Sequence, residues 1–551
     1  MRHLLPLLAG SCLLLPGCST TPTPSAPSES LRPNILWISA EDLSPRLGCY
    51  ADSLARTPTL DRLASDGRRF TRAFTTAGVC SPSRAAIITG MYQSSIGAHH
   101  MRTTTEPQGG MPTPYFTVPP PEVKAFPEYL RAAGYYCTNN SKTDYQFGEP
   151  RTVWDESSAS AHWRNRAEGQ PFFAVFNFMT THESQIWPRA DRPLITDPTR
   201  VEVPPYYPDT DVVRRDLAQH YDNIATLDTQ IAELLRQLDE DGLADNTIVF
   251  FWGDHGDGLP RAKRWPNESG TRVPLIVRWP GHLERGSVDE RLVSLVDLGP
   301  TVLSMAGVPI PDHMQGRAFL GGPAAPERAY VYAARDRIDE SYDYVRSVRD
   351  RRYRLIRNFF PDKPYILPVA YRNRMPTMQE ILRLDRQGAL SGPQALWARK
   401  TRPPEELYDT EADPWEINNL IDDPEHREIA QRLRTALADW REEIHDMGDI
   451  PETDMVERMW PGHQQPPTEP AGASPAAGRF ESSIEVTLSC PTEGASIAYT
   501  TESGEEPHWL LYSGPLRLAS DTDLRVRATR YGYKESEERV FPYRFGPEKP
   551  E

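Results

Sequence analysis

The stretch GVCSPSRAAIITG, residues 78–90, sets Cys80 and Arg84 four positions apart at the mouth of what reads as a short helix. A helix N-terminus presents unpaired backbone N–H groups and the positive end of the dipole, so position 80 is suited to meet an anion. Arg84 lies one turn on, on the same face. Elsewhere three apolar runs of buried-strand type end in groups that ligate metals or move protons. NILWIS (34–39) is followed by Glu41 and Asp42, FFAVFNFM (172–179) by His182, and NTIVFFW (246–252) by Asp254 and His255. Chemistry in open α/β sheets collects beyond the carboxyl ends of strands. Glu41, Asp42 and Asp254 together make a hard oxygen set of the kind that holds calcium or magnesium.

The elements that must position these groups alternate along the chain. Thr57 and Pro58 open a helix over 57–66, and Leu227, Ile231, Leu234, Leu235 and Leu238 recur at helical spacing within 217–238. Helix, turn and strand in succession predict an α/β sandwich. At 551 residues the chain exceeds one ordinary domain. Its net charge of −16 excludes a whole-molecule field that draws in nucleic acid, so an anionic ligand needs a local cationic pocket. Cys49, Cys80, Cys137 and Cys490 are scattered with neither zinc-site nor disulfide-framework spacing.

The N-terminus reads as a leader. Arg2 precedes an apolar run over 4–15, too short to span a bilayer, and LPGCS (15–19) resembles a bacterial lipobox in which Cys18 is lipidated. The Pro/Ser/Thr-rich segment that follows is a tether. The expectation is an exported lipoprotein, anchored to a membrane and facing the periplasm or the cell surface.

CSPSRAAIITG matches the sulfatase signature C-x-P-S-R, and RPNILWISAEDL, TPTLDRLASDGRRFTRAF, DHG and RVPLIVRWPG follow the order of the same family. Over roughly 33–447 the chain resembles the formylglycine-dependent sulfatases of the alkaline-phosphatase-like superfamily. The resemblance implies that a maturation enzyme oxidises Cys80 to formylglycine. One oxygen of the hydrated aldehyde then attacks sulfur, and the other later expels sulfate. It implies a divalent metal, calcium with magnesium as the alternative, on Glu41, Asp42, Asp254, His255 and the position-80 side chain. Arg84 holds the formylglycine oxygen, Lys142 and Lys263 neutralise the sulfate, and His182 protonates the leaving oxygen; Arg261 and Arg264 compete with Lys263 for its role.

Two positions depart from the family pattern. Glu41 stands where an aspartate is usual, and Asp144 where the Gly-Lys-x-His segment has a histidine. The candidates for the missing base are His99 and Asp144; the reading favours His99, with Asp144 orienting Lys142 or the substrate. His99, His100 and Arg102 are expected to line the substrate pocket. The segments NNSKTD, FNFMTTHES and DHGDGLPRAKRW resemble the sulfamidase-like branch, which implies a sulfated saccharide, N-sulfoglucosamine or another heparan-type sugar. The alternatives are a phosphodiester or phosphonate hydrolase on the same scaffold, and a non-catalytic glycan-binding surface lipoprotein.

The expected organisation is a leader over 1–18, a tether over 19–32, a catalytic domain over 33–328 built on a mixed sheet sandwiched by helices, and a small antiparallel subdomain over 329–447. YVRSVRDRRYRLIRNFF predicts a hairpin turning near Asp350 within that subdomain. A Pro/Gly-rich linker over 448–478 then leads to a β-sandwich module over 479–546 that resembles chitobiase-type modules. Its Trp509 and Tyr512 are read as packing residues rather than sugar binders.

Overall fold

The computed structural model describes residues 32–104, 114–189, 192–322 and 325–547. The expected leader, lipobox and tether up to residue 31 lie outside them. Among the described residues no helix is long and apolar enough to cross a membrane, and the four cysteines are free.

Strand β1 (Asn34–Ala40) is buried at all seven positions, as a parallel strand covered on both faces must be. With β2 (Arg68–Phe74), β3 (Tyr136–Asn140), β4 (Glu156–Ser157), β5 (Phe172–Phe178), β6 (Thr247–Gly253), β7 (Arg272–Arg278) and β8 (Ser287–Ser294) it forms one sheet, ordered β4-β3-β5-β1-β6-β7-β2-β8. The sheet is parallel from β4 to β6, while β7 pairs antiparallel with both β6 and β2. The sheet is therefore mixed, as expected.

Alternation along β1 sends Ile35 and Trp37 to one face and Leu36 and Ile38 to the other. The first pair joins a core with Ile87, Phe126 and Leu298, from α2 (Cys80–Thr89), α3 (Phe126–Ala132) and α6 (Leu298–Met305). The second joins Leu63, Leu227 and Ile231 from α1 (Pro58–Asp66) and α4 (Asp211–Glu240), with Ile381 and Trp397 from α7 (Pro376–Arg386) and α8 (Gly392–Trp397). The short α5 (Glu268–Thr271) turns the chain from the β6 loop into β7.

Strands β9 (Val331–Arg335), β10 (Val345–Arg349), β11 (Tyr353–Asn358) and β12 (Glu405–Asp409) make a separate antiparallel sheet. Its β10–β11 hairpin turns at Asp350, whose carboxylate accepts the Arg352 and Tyr353 N–H groups at 2.7 and 2.6 Å. Helix α9 (Arg427–Glu443) closes over it with Leu433, Leu437 and Trp440.

The segment 448–478 is more than a spacer. It contains α10 (Glu452–Met459), with Met455 and Val456 buried against Tyr115. Glu452 accepts Tyr115 O–H at 2.8 Å and both arms of Arg337 at 2.6 and 2.7 Å. A short apolar face hidden among prolines and glycines escapes a reading by composition. Beyond it, β13 (Gly472–Ser474), β15 (Ile484–Ser489) and β18 (Leu516–Leu518) face β14 (Gly478–Phe480), β16 (Ser496–Thr500), β17 (Leu510–Leu511), β19 (Thr522–Thr529) and β20 (Arg539–Phe545) across a core of Val486, Leu488, Leu524 and Val526.

This sandwich is docked on the core beside the eight-stranded sheet. Tyr531 is fully buried within the core that contains Trp37 and Phe126. Its ring stacks on Phe147 at 4.8 Å, and its hydroxyl donates to Glu128 at 2.8 Å while accepting the Ala125 N–H at 3.1 Å. Ser496 donates to the other Glu128 oxygen at 2.7 Å. Gly532 (φ +80°) lets the backbones touch, since a Cβ there would lie 2.2 Å from Thr117 O. Trp509 is buried, its carbonyl accepting Arg131 at 2.8 Å, so packing is its observed role. Tyr531→Ala should cost about 3–5 kcal/mol of unfolding free energy in urea, the range for truncating a buried aromatic ring. An unchanged midpoint would mean that the module hangs loosely.

Candidate active site

Strands β5, β1 and β6 are neighbours in register, Ala40 lying opposite both Phe178 and Gly253. The residues that follow each strand therefore emerge side by side. Backbone bonds fasten the emerging loops: Glu41 N–H donates to Phe178 O at 3.0 Å, Asp254 N–H to Ala40 O at 3.1 Å, and Leu43 N–H to His255 O at 3.0 Å. Above them lies a cavity of about 260 Å³ whose walls include Cys80, Lys142, Asp144, His182, Lys263 and Arg264.

Cys80 is the first residue of α2, buried, with Sγ 3.3 Å from His255 Nε2 and 3.9 Å from Asp42 Oδ1. Val79, in the cap position, is extended and brings no capping side chain, so the helix end stays open toward the cavity. Ser83 Oγ, one turn on, donates to the Asp254 carbonyl at 2.7 Å and ties α2 to the β6 loop. Gly78 permits the close approach of that loop, because a Cβ there would lie 2.5 Å from Trp265 O. Arg84 donates to Glu41 and, at 2.8 Å, to Asn177 Oδ1 on β5.

The three carboxylates are differently neutralised. Against their burial, Arg84 and Lys142 hold Glu41 well below the ordinary carboxylate range, and Lys263, His182 and His255 do the same for Asp42. Lys263 Nζ donates to both Asp42 oxygens, at 2.9 and 2.8 Å. Asp254 is different: burial, with Glu41 adding to it, pushes it up to about 7. Its Oδ1 accepts the Asp42 and His255 N–H groups at 2.9 Å each, but Oδ2 accepts no hydrogen bond. His255 Nδ1 donates to Gly256 O at 2.9 Å, which turns Nε2 to Asp42 Oδ1 at 3.1 Å.

This donor set fits a divalent cation. The ligand atoms of Asp42, Cys80, Asp254 and His255 lie within 4.8 Å of one another, and a cation among them would engage Asp254 Oδ2, which accepts no hydrogen bond and has Arg84 Nε 3.6 Å away. Glu41 belongs instead to an overlapping group with Asp42, Cys80 and His182, its oxygens engaged by Arg84 and, at 2.5 Å, Lys142.

On the other wall, burial and then Lys263 lower the proton affinity of His182, whose Nε2 lies 3.2 Å from Lys263 Nζ and whose Nδ1 accepts the Ser184 N–H at 3.3 Å and lies 2.8 Å from Ser184 Oγ. Glu183 holds Arg264 through paired bonds of 2.9 and 2.7 Å, and lies 3.1 Å from Lys263. Asp144 accepts Ser81 O–H at 2.5 Å and lies 3.5 Å from Lys142.

His99 and His100, expected from the sequence at the substrate pocket, are not among the residues that line this cavity. The chain turns after Ala98 so that both rings are buried toward the C-terminal subdomain. His100 Nδ1 accepts the Arg337 N–H at 3.3 Å, and Asp336 and Arg346 are the charges that act most strongly on His99. The next residues, Met101 and Arg102, do reach the cavity. Arg264 pairs with Glu183 while Lys263 sits on Asp42, and Arg261 turns away to donate to Glu416 O at 2.8 Å. Sequence reasoning missed Glu183, although it adjoins His182, and Asp339, which the fold brings in from far along the chain.

Glu183→Ala leaves Arg264 buried without its carboxylate, and should cost about 3–5 kcal/mol in chemical unfolding. Glu183→Gln, which keeps the volume, should recover only part of this; a loss under about 1 kcal/mol for either would show that Arg264 finds another partner.

Comparison with known proteins agrees with this geometry. The family model described as sulfatase matches residues 33–163 and 139–308, that of the N-sulphoglucosamine sulphohydrolase C-terminal region matches 256–367, and that of the chitobiase/beta-hexosaminidase C-terminal domain matches 475–540. An ulvan-active sulfatase of Formosa agariphila is 43% identical over 544 residues, covering 92% of this chain and 90% of that protein. The human N-sulphoglucosamine sulphohydrolase is 29% identical, covering 75% and 90%. A solved structure in complex with its substrate D-glucosamine-2-N,6-O-disulfate shares the fold, with a TM-score of 0.54 and 19% identity over 76% of this chain and 99% of that one. The strand-end acids, the C-x-P-S-R helix and these matches make one case: the chain belongs to the sulfatase family and is a sulfuric ester or sulfamate hydrolase.

Proposed function

We propose that the protein removes sulfate groups from a sulfated polysaccharide, with a formylglycine made from Cys80 by a maturation enzyme as nucleophile. The observation that carries this reading is the convergence of Arg84, Lys142, Lys263 and His182 on a buried Cys80 in a protein of net charge −16. A formylglycine at position 80 would supply a hydrated aldehyde as the nucleophile. Asp42, Asp254 and His255, with Glu41 at their border, would hold a divalent cation, calcium in this reading, which would supply positive charge to the site.

The other roles follow from position. Arg84, fixed by Glu41 and Asn177, orients the position-80 side chain. Lys142 and Lys263 neutralise the bound sulfate in a water-poor cavity, where such contacts are strongest. His182 gains proton affinity when the sulfate draws Lys263 away from Nε2, and so protonates the leaving oxygen. Asp144, which lines the cavity where His99 does not, takes the place of the usual histidine as base.

For the substrate, the 43% identity to an ulvan-active sulfatase favours an ulvan-type glycan over the N-sulfoglucosamine of the 29% relative. Export as an anchored lipoprotein fits a polymer met outside the cell, and the domain boundaries given above stand as proposals, with the sandwich beginning nearer Ala471.

Protein made with a competent maturation enzyme should yield a tryptic peptide in which position 80 has lost thiol mass and traps a hydrazide. The same preparation should release sulfate from ulvan oligosaccharides faster than it hydrolyses phosphodiesters. Full activity with an unmodified Cys80 would overturn the assignment.

A further inference from the structure

Two charged residues in the cavity wall, Arg102 and Asp339, take no part in the sulfate chemistry. They come from distant segments that are firmly built. Met101 N–H donates to Arg337 O at 2.9 Å, Ile338 and Ser341 exchange backbone bonds of 2.9 and 3.0 Å, and Arg337 itself is held by Glu452. Both residues have left-handed backbones, φ +58° and +49°. Asp144, Gln146 and Arg264 share this conformation, so it gathers around the cavity. Backbone strain of this kind persists where surrounding structure enforces it, commonly at functional sites.

The pair is close but incompletely matched. Arg102 Nε lies 2.7 Å from Asp339 Oδ1, yet that oxygen, on a side chain only 9% exposed, accepts no aligned hydrogen bond. The Arg102 guanidinium lies 4.9 Å from the Tyr371 ring centroid and remains 38% exposed. Met179 and Ile338 provide apolar surface in the same wall. A buried carboxylate that anchors Nε leaves the other N–H groups of the part-exposed guanidinium for the cavity, where they match neighbouring hydroxyl oxygens of a pyranose.

We propose that Arg102 and Asp339 form the subsite that holds the sugar ring carrying the sulfate, Arg102 donating to ring hydroxyl oxygens while Asp339, covered beneath it, holds the guanidinium in place. This rests on the sulfatase reading above and assigns what grips the sugar rather than the sulfate. Arg102→Ala and Asp339→Ala are compared with wild type on an ulvan oligosaccharide and on 4-nitrophenyl sulfate, which has no sugar hydroxyls. The ratio of kcat/KM for the saccharide to that for the aryl sulfate should fall by about tenfold or more in each variant, mainly through KM, the loss expected when a bond to a charged group is removed. Arg102→Lys should restore only part of it. An unchanged ratio would overturn the subsite. In a second arm, calorimetric binding of the oligosaccharide to Cys80→Ala protein should weaken by about tenfold on adding either substitution. Wild-type protein that hydrolyses neither compound while this weakening persists would overturn the sulfatase reading and leave the subsite standing; binding that does not weaken would overturn the subsite.

Discussion

Three carboxylates buried at adjacent strand ends are the constraint around which the rest is organised. Glu41, Asp42 and Asp254 are withdrawn from water, where like charges repel strongly. Arg84 and Lys142 answer Glu41, and Lys263 answers Asp42. Asp254 is left with an oxygen that accepts no hydrogen bond, its contact with Arg84 Nε being 3.6 Å, and with a proton affinity raised into the neutral range. In the proposed function Lys142 and Lys263 are also the groups that face a sulfate ester. The same ammonium groups cannot fully serve both the carboxylates and the substrate, so in that proposal a divalent cation on the carboxylates would free them for the substrate.

The scaffold holds this arrangement because the site residues are divided among β1, β5, β6 and α2. Glu41 and Asp42 leave β1, His182 follows β5, Asp254 and His255 leave β6, and Cys80 and Arg84 ride on α2. Parallel neighbours in register place the loops together, and backbone bonds between them leave little room to spread. The C-terminal sandwich contributes from behind. Tyr531 stacks on Phe147, which stacks on Tyr145 at 5.7 Å, next to Asp144 and near the loop that carries Lys142. An appended module thus supports the active-site wall.

Much of this was legible because buried parallel strands read as short apolar runs and their carboxyl ends mark where chemistry collects. Glu41, Asp42, His182, Asp254 and His255 all follow from that rule, and Cys80 with Arg84 from the signature helix. The rule is silent on which way a loop turns. His99 and His100 are chemically suggestive, but they fall on the inner side of a turn whose outer side presents Met101 and Arg102. Asp339 lies in a segment without periodicity and reaches the cavity only because β9 and the turn after it pack there. Composition hid α10 in the same way, since Met455 and Val456 are too few to stand out among prolines.

The balance of charge at the strand ends is tested most directly by titrating metal-stripped protein with calcium and magnesium while following heat and thermal midpoint. The account requires one saturable divalent site per chain, a midpoint that rises on binding, and loss of both effects in Asp254→Ala. No binding, or binding undiminished by Asp254→Ala, would contradict it.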